Sequence, residues 1–259
     1  MRLLFIGDIN ARGGRETLDC MLGGLREEFA PDLVVANGEN AAHGLGLTPR
    51  IADEIFGMGV DVMTGGNHLF DKKEIFDYLP EQPRLLRPAN MPSIVPGASS
   101  YTGEAGGVRY FVATLVGRTF MLPSDCPFRA FDRLAGNDAA DFAVRIIDFH
   151  AEATSEKKAL ARYIDGRASA VICTHTHVQT ADEQILPNGT AFITDVGMTG
   201  PHDSVIGVQS EIVIQRFLTG LPARFEPAEG GLKLQAVVVD IDGATGRARS
   251  IERISRNHE

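Results

Sequence analysis

Leu3-Leu4-Phe5-Ile6-Gly7-Asp8 is an apolar run that stops abruptly at a glycine and a carboxylate, and the pattern recurs along the chain. It returns at Leu33 to Ala36, ending in Asn37-Gly38-Glu39-Asn40, and at Val60 to Met63, ending in Gly65-Gly66-Asn67-His68. Such short unbroken runs suit strands buried on both faces, as in a parallel sheet flanked by helices. Between them, Leu18, Leu22, Leu25 and Phe29 recur at helical spacing, although Gly23-Gly24 weakens that helix. Thr48-Pro49 puts a capping residue before a first-turn proline, ahead of Ile51, Ile55 and Met58. Asp71 with Glu74 predicts a cap before Ile75, Phe76 and Leu79. This alternation favours right-handed βαβ units and an α/β fold.

From 84 to 141 the pattern loosens under repeated proline and glycine, with Val108 to Val116 reading as a strand. The expectation is one domain over 1–259, in which 84–141 is an antiparallel addition, an edge or a lid. Alternation then resumes. Ala143 to Phe149 is a strand ending at His150, and Ser155 to Ile164 is a helix. Ala168 to Cys173 is a strand ending at Thr174-His175-Thr176-His177, and Ala191 to Thr194 one ending at Asp195-Val196-Gly197. Val205 to Leu218 predicts a helix; Leu232 to Asp242 and Arg247 to Ile254 predict a closing hairpin.

The 259 residues are 44% hydrophobic and 23% charged, an ordinary globular composition. A net charge of −9 argues against an extended nucleic-acid surface, which needs clustered Lys and Arg. It leaves room for a small phosphorylated substrate, because bound metal ions supply positive charge locally. Cys20, Cys126 and Cys173 form no C-x-x-C pair and read as free thiols. No apolar run reaches membrane-spanning length, so no membrane partner is expected and the cytoplasm is the expected compartment. The chain has no P-loop, dinucleotide fingerprint or nucleophile elbow.

Asp8, Glu39, Asn40, Asn67, His68, His150, His175 and His177 all follow a predicted strand within a few residues. In an open parallel sheet those positions share one rim, where ligands bind. Each alone has a plain reading: Asp8 as a helix cap, Glu39-Asn40 and Asn67 as turn residues, His150 as a structural histidine. Their joint order favours a metal site. Carboxylate, carboxamide and imidazole donors without thiolate suit iron, manganese or zinc better than calcium. His43 and His202 read as loop residues or substrate contacts, His258 as surface. Glu152 reads as a helix-start carboxylate or a group orienting a ligand.

Gly7-Asp8, Gly38-Glu39-Asn40, Gly66-Asn67-His68, His150 and His175-Thr176-His177 resemble, in order, the motifs of calcineurin-like metallophosphoesterases. More narrowly the chain resembles their YmdB-like branch. Asn10 stands where the wider group has a histidine, Glu39 replaces a bridging aspartate, and Asp195-Val196-Gly197-Met198-Thr199-Gly200 is similar to a signature of the branch. The resemblance implies a layered α/β metallophosphoesterase fold with a strand-end metal site and flanking helices. It implies two divalent or trivalent transition-metal ions, iron or manganese before zinc. Asp8, Glu39, Asn40 and His177 would hold one; Asn67, His150 and His175 would hold the other, with Glu39 bridging. His68 would be the general acid, a role suited to imidazole. Asn10 keeps three open roles: ligand, support for a water, or shaping the turn. The implied reaction is attack of a metal-bridging hydroxide on a phosphodiester such as a 2′,3′-cyclic nucleotide. The rival reading is a metal-stabilised regulatory or RNA-linked module with weak or no catalysis. A homo-oligomer is expected on general grounds.

Overall fold

Residues alternate in direction along a strand, so Leu3 and Phe5 enter one core while Leu4 and Ile6 enter another. The whole molecule is organised by that division. The computed structural model describes residues 1–139 and 141–258. In chain order the strands are β1 (Arg2–Ile6), β2 (Asp8–Ile9), β3 (Leu33–Asn37), β4 (Val62–Thr64), β5 (Leu85–Leu86), β6 (Ser100–Ala105) and β7 (Val108–Val116). They continue as β8 (Val144–His150), β9 (Ala170–Thr174), β10 (Gln184–Ile185), β11 (Ala191–Ile193), β12 (Met198–Pro201), β13 (Leu232–Ile241) and β14 (Ala248–Asn257). The helices are α1 (Ala11–Phe29), α2 (Pro49–Gly57), α3 (Ile75–Tyr78), α4 (Pro127–Gly136), α5 (Thr154–Ile164) and α6 (Ser210–Thr219).

Two mixed sheets pack face to face. The first runs β2-β12-β13-β1-β3-β4-β5, with β14 also on β13; the second runs β10-β11-β9-β8-β7-β6. Leu3, Phe5, Val35 and Val62 of the first meet Val112, Ile146, Ile172 and Ile193 of the second. The outer face of the first sheet (Leu4, Ile6, Val34) is covered by α1 and α2 through Leu18, Leu22, Ile51 and Ile55. The outer face of the second (Phe111, Ile147, Val171) is covered by α4 and α5 through Phe131, Leu134, Leu160 and Ile164. The result is a four-layered α/β sandwich. This is the expected layered α/β fold; the apolar runs alone did not separate one sheet from two, because a strand buried on both faces reads the same whether a helix or a second sheet covers it.

Within 84–141, β7 pairs parallel with β8, and β6 adds antiparallel to β7 as an edge; Ala140 lies outside the described residues. Thr48 caps α2, its side chain accepting from Ile51 N at 3.4 Å. Three local expectations differ. The strand expected at Val60 begins at Val62, after the left-handed Gly59 turn. Glu74 precedes α3 without a side-chain cap bond, and Asp71 is occupied by His68. The helix expected from Val205 begins only at Ser210, because Val205 and Val208 pair with each other around a turn with positive φ at Ile206. Among the described residues, no helix is long and apolar enough to cross a membrane.

One ion pair ties the site to the helical layer. Lys157 of α5 is fully buried and donates to Asp195 Oδ2 at 2.7 Å. The same oxygen accepts from Thr176 N at 3.0 Å and Thr176 Oγ1 at 2.8 Å, while Asp195 Oδ1 accepts from Gly197 N at 2.8 Å. Asp195 thus grips the middle of the His-Thr-His turn, whose histidines take left-handed φ values of 101° and 62°. Such backbone persists only where the surroundings enforce it. We expect Lys157→Met to leave the Asp195 charge buried without its cation and to cost about 3 kcal/mol in urea unfolding; a loss below about 1 kcal/mol, the scale of a surface pair, would show that the ion pair does not anchor the turn.

Candidate metal centre

The ends of β1, β3 and β4 in one sheet and of β8 and β9 in the other meet at a common rim. Asp8, Glu39 and His150 are fully buried there, and Asn40 nearly so. His150 is the centre of the arrangement. Its Nε2 lies 2.9 Å from Glu39 Oε1, 3.0 Å from Asn67 Oδ1 and 3.0 Å from His175 Nδ1. Its other nitrogen, Nδ1, is 2.9 Å from Thr174 Oγ1, whose hydroxyl donates to Asp148 Oδ1 at 2.7 Å. That chain keeps a proton on Nδ1, so Nε2 is the nitrogen that is bare when the ring is neutral, and it faces the cluster. His175 is fixed in the same way: its Nε2 is 3.1 Å from Glu152 Oε2, so Nδ1 turns inward bare. A carboxylate oxygen, an amide oxygen and two imidazole nitrogens thus converge.

A second group lies alongside. His177 Nδ1 donates to the Ile206 carbonyl at 2.8 Å, which leaves Nε2 bare, 3.2 Å from Asn40 Nδ2 and 3.8 Å from Asp8 Oδ1. Asp8 Oδ2 accepts from His175 N at 3.1 Å, tying the two groups together. Glu39 Oε2 accepts from the backbone N–H of Gly66 at 2.5 Å and His68 at 3.0 Å, so only Oε1 is free for another partner. Asn40 Oδ1 and Asn10 Oδ1 are buried without a hydrogen-bond partner among the described residues, and Glu39 Oε1 meets only the His150 ring nitrogen. Orphaned acceptors of this kind are costly unless a cation or donor completes them.

The electrostatics agree. Burial opposes a charged imidazole at His150, yet Glu39, Asp8 and Asp148 outweigh it and pull His150 up to about 9. Burial likewise opposes the Glu39 carboxylate, but the neighbouring His150 and His68 hold it down to about 2. Burial raises Asp8 despite His177 and His150. Burial, helped by the positive field of His150, presses His175 down to about 3 and keeps it neutral. Burial lifts Asp148 to about 6, against His150 and the hydroxyls of Thr174 and Thr64. The rim therefore draws positive charge, and in the apoprotein His150 carries it.

The structure brings together Asp8, Glu39, Asn40, Asn67, His150, His175 and His177. His68 stands beside them, its Nδ1 2.8 Å from Asp71 Oδ2. Asn10 is buried at the N-cap position of α1 without a side-chain cap bond. His43 lines the adjoining cleft. His202 instead donates to the Gly200 carbonyl at 3.0 Å, and His258 pairs with Thr17 at 3.2 Å. Sequence reasoning missed the groups behind the rim: Asn37, Thr64, Asp148 and Thr174, which bond one another and His150. A signal existed, since Asp148 stands two residues before His150 on a strand face whose earlier residues, Val144 and Ile146, are apolar. Lys157 was signalled too, as a lysine on the apolar Leu160, Ala161 and Ile164 face of α5.

Likenesses to known proteins run the length of the chain. A family model described as YmdB-like protein matches residues 4–254. The 2′,3′-cyclic-nucleotide 2′-phosphodiesterase of Bacillus subtilis (strain 168) is 51% identical over 259 residues, covering 100% of this chain and 98% of that protein. A crystal structure of a hypothetical protein from Thermus thermophilus superposes with a TM-score of 0.94 at 44% identity, covering all of both chains. A novel phosphatase of Mycoplasma pneumoniae gives 0.94 at 33% identity, over 99% of this chain and 93% of that one. The strand-end residues, the layered fold and these likenesses converge: the chain belongs to the YmdB-like protein family.

Proposed function

We propose that the protein is a phosphodiesterase dependent on two transition-metal ions, iron or manganese before zinc, with a cyclic mononucleotide such as a 2′,3′-cyclic nucleotide as substrate. The observation that carries this reading is the convergence of Glu39 Oε1, Asn67 Oδ1 and His175 Nδ1 within 3.0 Å of His150 Nε2. The name of the B. subtilis relative supports the substrate class. His150, His175 and Asn67 would hold one ion. Asp8, His177 and Asn40 would hold the other; half a turn of the Asn40 carboxamide brings its orphaned Oδ1 to where its NH2 now points. Glu39 would help hold the ions through Oε1, because backbone N–H groups occupy Oε2. When bound, such a pair polarises phosphoryl oxygens and acidifies water.

The chain itself supplies orientation and a proton. Thr174, Glu152 and the Ile206 carbonyl set the tautomers of His150, His175 and His177, so that each ring meets the rim with a lone pair. Asp71 accepts from His68 Nδ1 and leaves Nε2 as the nitrogen that donates to the departing sugar oxygen. Expelling solvent from Asp8, Glu39 and His150 strengthens every charge interaction at the rim.

Two outcomes follow. His68→Ala should lower kcat on 2′,3′-cyclic AMP by about 10²–10⁴-fold with metal content intact by elemental analysis; loss of metal in that variant would make His68 a ligand instead. A proton held by His150 up to about 9 must leave before Nε2 can ligate. The raised value means protons compete below it, so metal affinity should climb with pH, about tenfold per unit between about pH 6 and pH 8 in chelator competition. A flat profile would remove His150 from the ligand set.

A further inference from the structure

Beside the ligand cluster lies a cleft of about 500 Å³ that the reaction as described does not use. It shares His68, His175, His177 and Asn40 with the rim, then extends between the loop after β3 and the segment on either side of α6. Its walls there are apolar: Leu45, Ile206, Val208, Phe225 and Pro227. Three of these are large side chains left open, with Leu45 41%, Ile206 52% and Phe225 38% exposed. Phe225 is held by the Arg216 guanidinium, 4.9 Å from its ring centroid. Two polar side chains line this part of the cleft: the exposed His43, and Asn10, only 3% exposed, with its Oδ1 unpartnered.

Ile206 joins the two regions. A β-branched residue is a genuine outlier at positive φ, and Ile206 sits at 49°. That backbone turns its carbonyl to His177 Nδ1 at 2.8 Å while its side chain lines the cleft. The strained turn thus supports a candidate ligand and the apolar wall together. Small-molecule sites have this volume and composition: mostly apolar, with a few placed polar groups. A phosphate at the rim needs none of it, whereas a flat aromatic base does.

Resting on the phosphodiesterase reading above, we propose that this cleft is the nucleobase subsite. The base lies against Phe225 and Ile206, and Asn10 Oδ1 accepts a hydrogen bond from an N–H or O–H of the nucleoside. Bases stack on aromatic rings with little regard to identity, so the subsite selects a mononucleotide over a base-free cyclic ester.

The test compares 2′,3′-cyclic AMP with glycerol 1,2-cyclic phosphate, which has the same five-membered ring and no base. It also compares binding of adenosine 3′-monophosphate and inorganic phosphate by calorimetry on the metal-loaded protein. In Phe225→Ala the kcat/KM preference for the nucleotide should fall about tenfold, carried by KM, and the affinity advantage of the nucleoside phosphate should fall alike. Leu45→Ser, on the opposite loop, should move both ratios in the same direction. Unchanged ratios in both variants, or equal losses on both substrates, would overturn the subsite. A wild-type protein that cleaves neither ester yet keeps base-dependent affinity that Phe225→Ala removes would sink the hydrolytic reading and support the subsite. Cleavage of both esters with no preference for the nucleotide would do the reverse.

Discussion

The approach of Glu39 Oε1 to His150 Nε2, in a place with no solvent, is the constraint the rest of the structure serves. Removing a carboxylate from water costs several kcal/mol unless charge and hydrogen bonds replace the lost hydration. The chain provides part of that replacement: two backbone N–H groups on Oε2, and a relay from His150 through Thr174 to Asp148. Asp148 in turn accepts from Thr64 at 2.5 Å and Asn37 at 3.2 Å, so the carboxylate behind the rim is saturated while Glu39 stays open on the side facing the cluster. Specificity of shape comes from this asymmetry. The donors cannot relax outward without breaking bonds that have no aqueous substitute.

Much of this was legible in the sequence because strands end where their apolar runs end. Asp8, Glu39, Asn67, His150 and His175 each sit just past such a boundary, and no tertiary knowledge was needed to place them on a rim. What could not be read was the partner of each strand. Leu33 to Ala36 is equally apolar on its α1 side and its β8 side, so the second sheet left no mark distinct from a covering helix. Local signals failed where a tertiary bond was stronger. Asp71 left its capping role for His68, and Val205 to Gln209 gave up helix to place Ile206 under His177. Lys157 and Asp148 broke the apolar pattern of their elements, and those breaks marked the buried scaffolding behind the ligands.

Asn10 shows how a replacement at one position redistributes space. An added Cβ at Gly207 would lie 2.8 Å from its carboxamide, and one at Gly200 would lie 3.1 Å from its Cβ. Both glycines have positive φ and approach Asn10 more closely than a larger residue could. The side chain is thereby walled in on two sides and directed toward the cleft, which explains its burial without a hydrogen-bond partner.

The antiparallel strand β13 lies directly beside β1, pairing Leu3 with Val239 and Phe5 with Val237. Its Gln235 also accepts from Gly7 N and Met198 N, and the Ala236 carbonyl accepts from Gln179, just beyond the His-Thr-His turn. Strands far from β1 in the sequence therefore complete the sheet that β1 begins. Until they arrive, β1 has an open edge and Asp8 lacks the frame that aims it. Pairings across nearly the whole sequence are slow to form and expose strand edges meanwhile. Completion of the rim's sheet thus depends on the β13-β14 hairpin as well as on the residues that would do the chemistry.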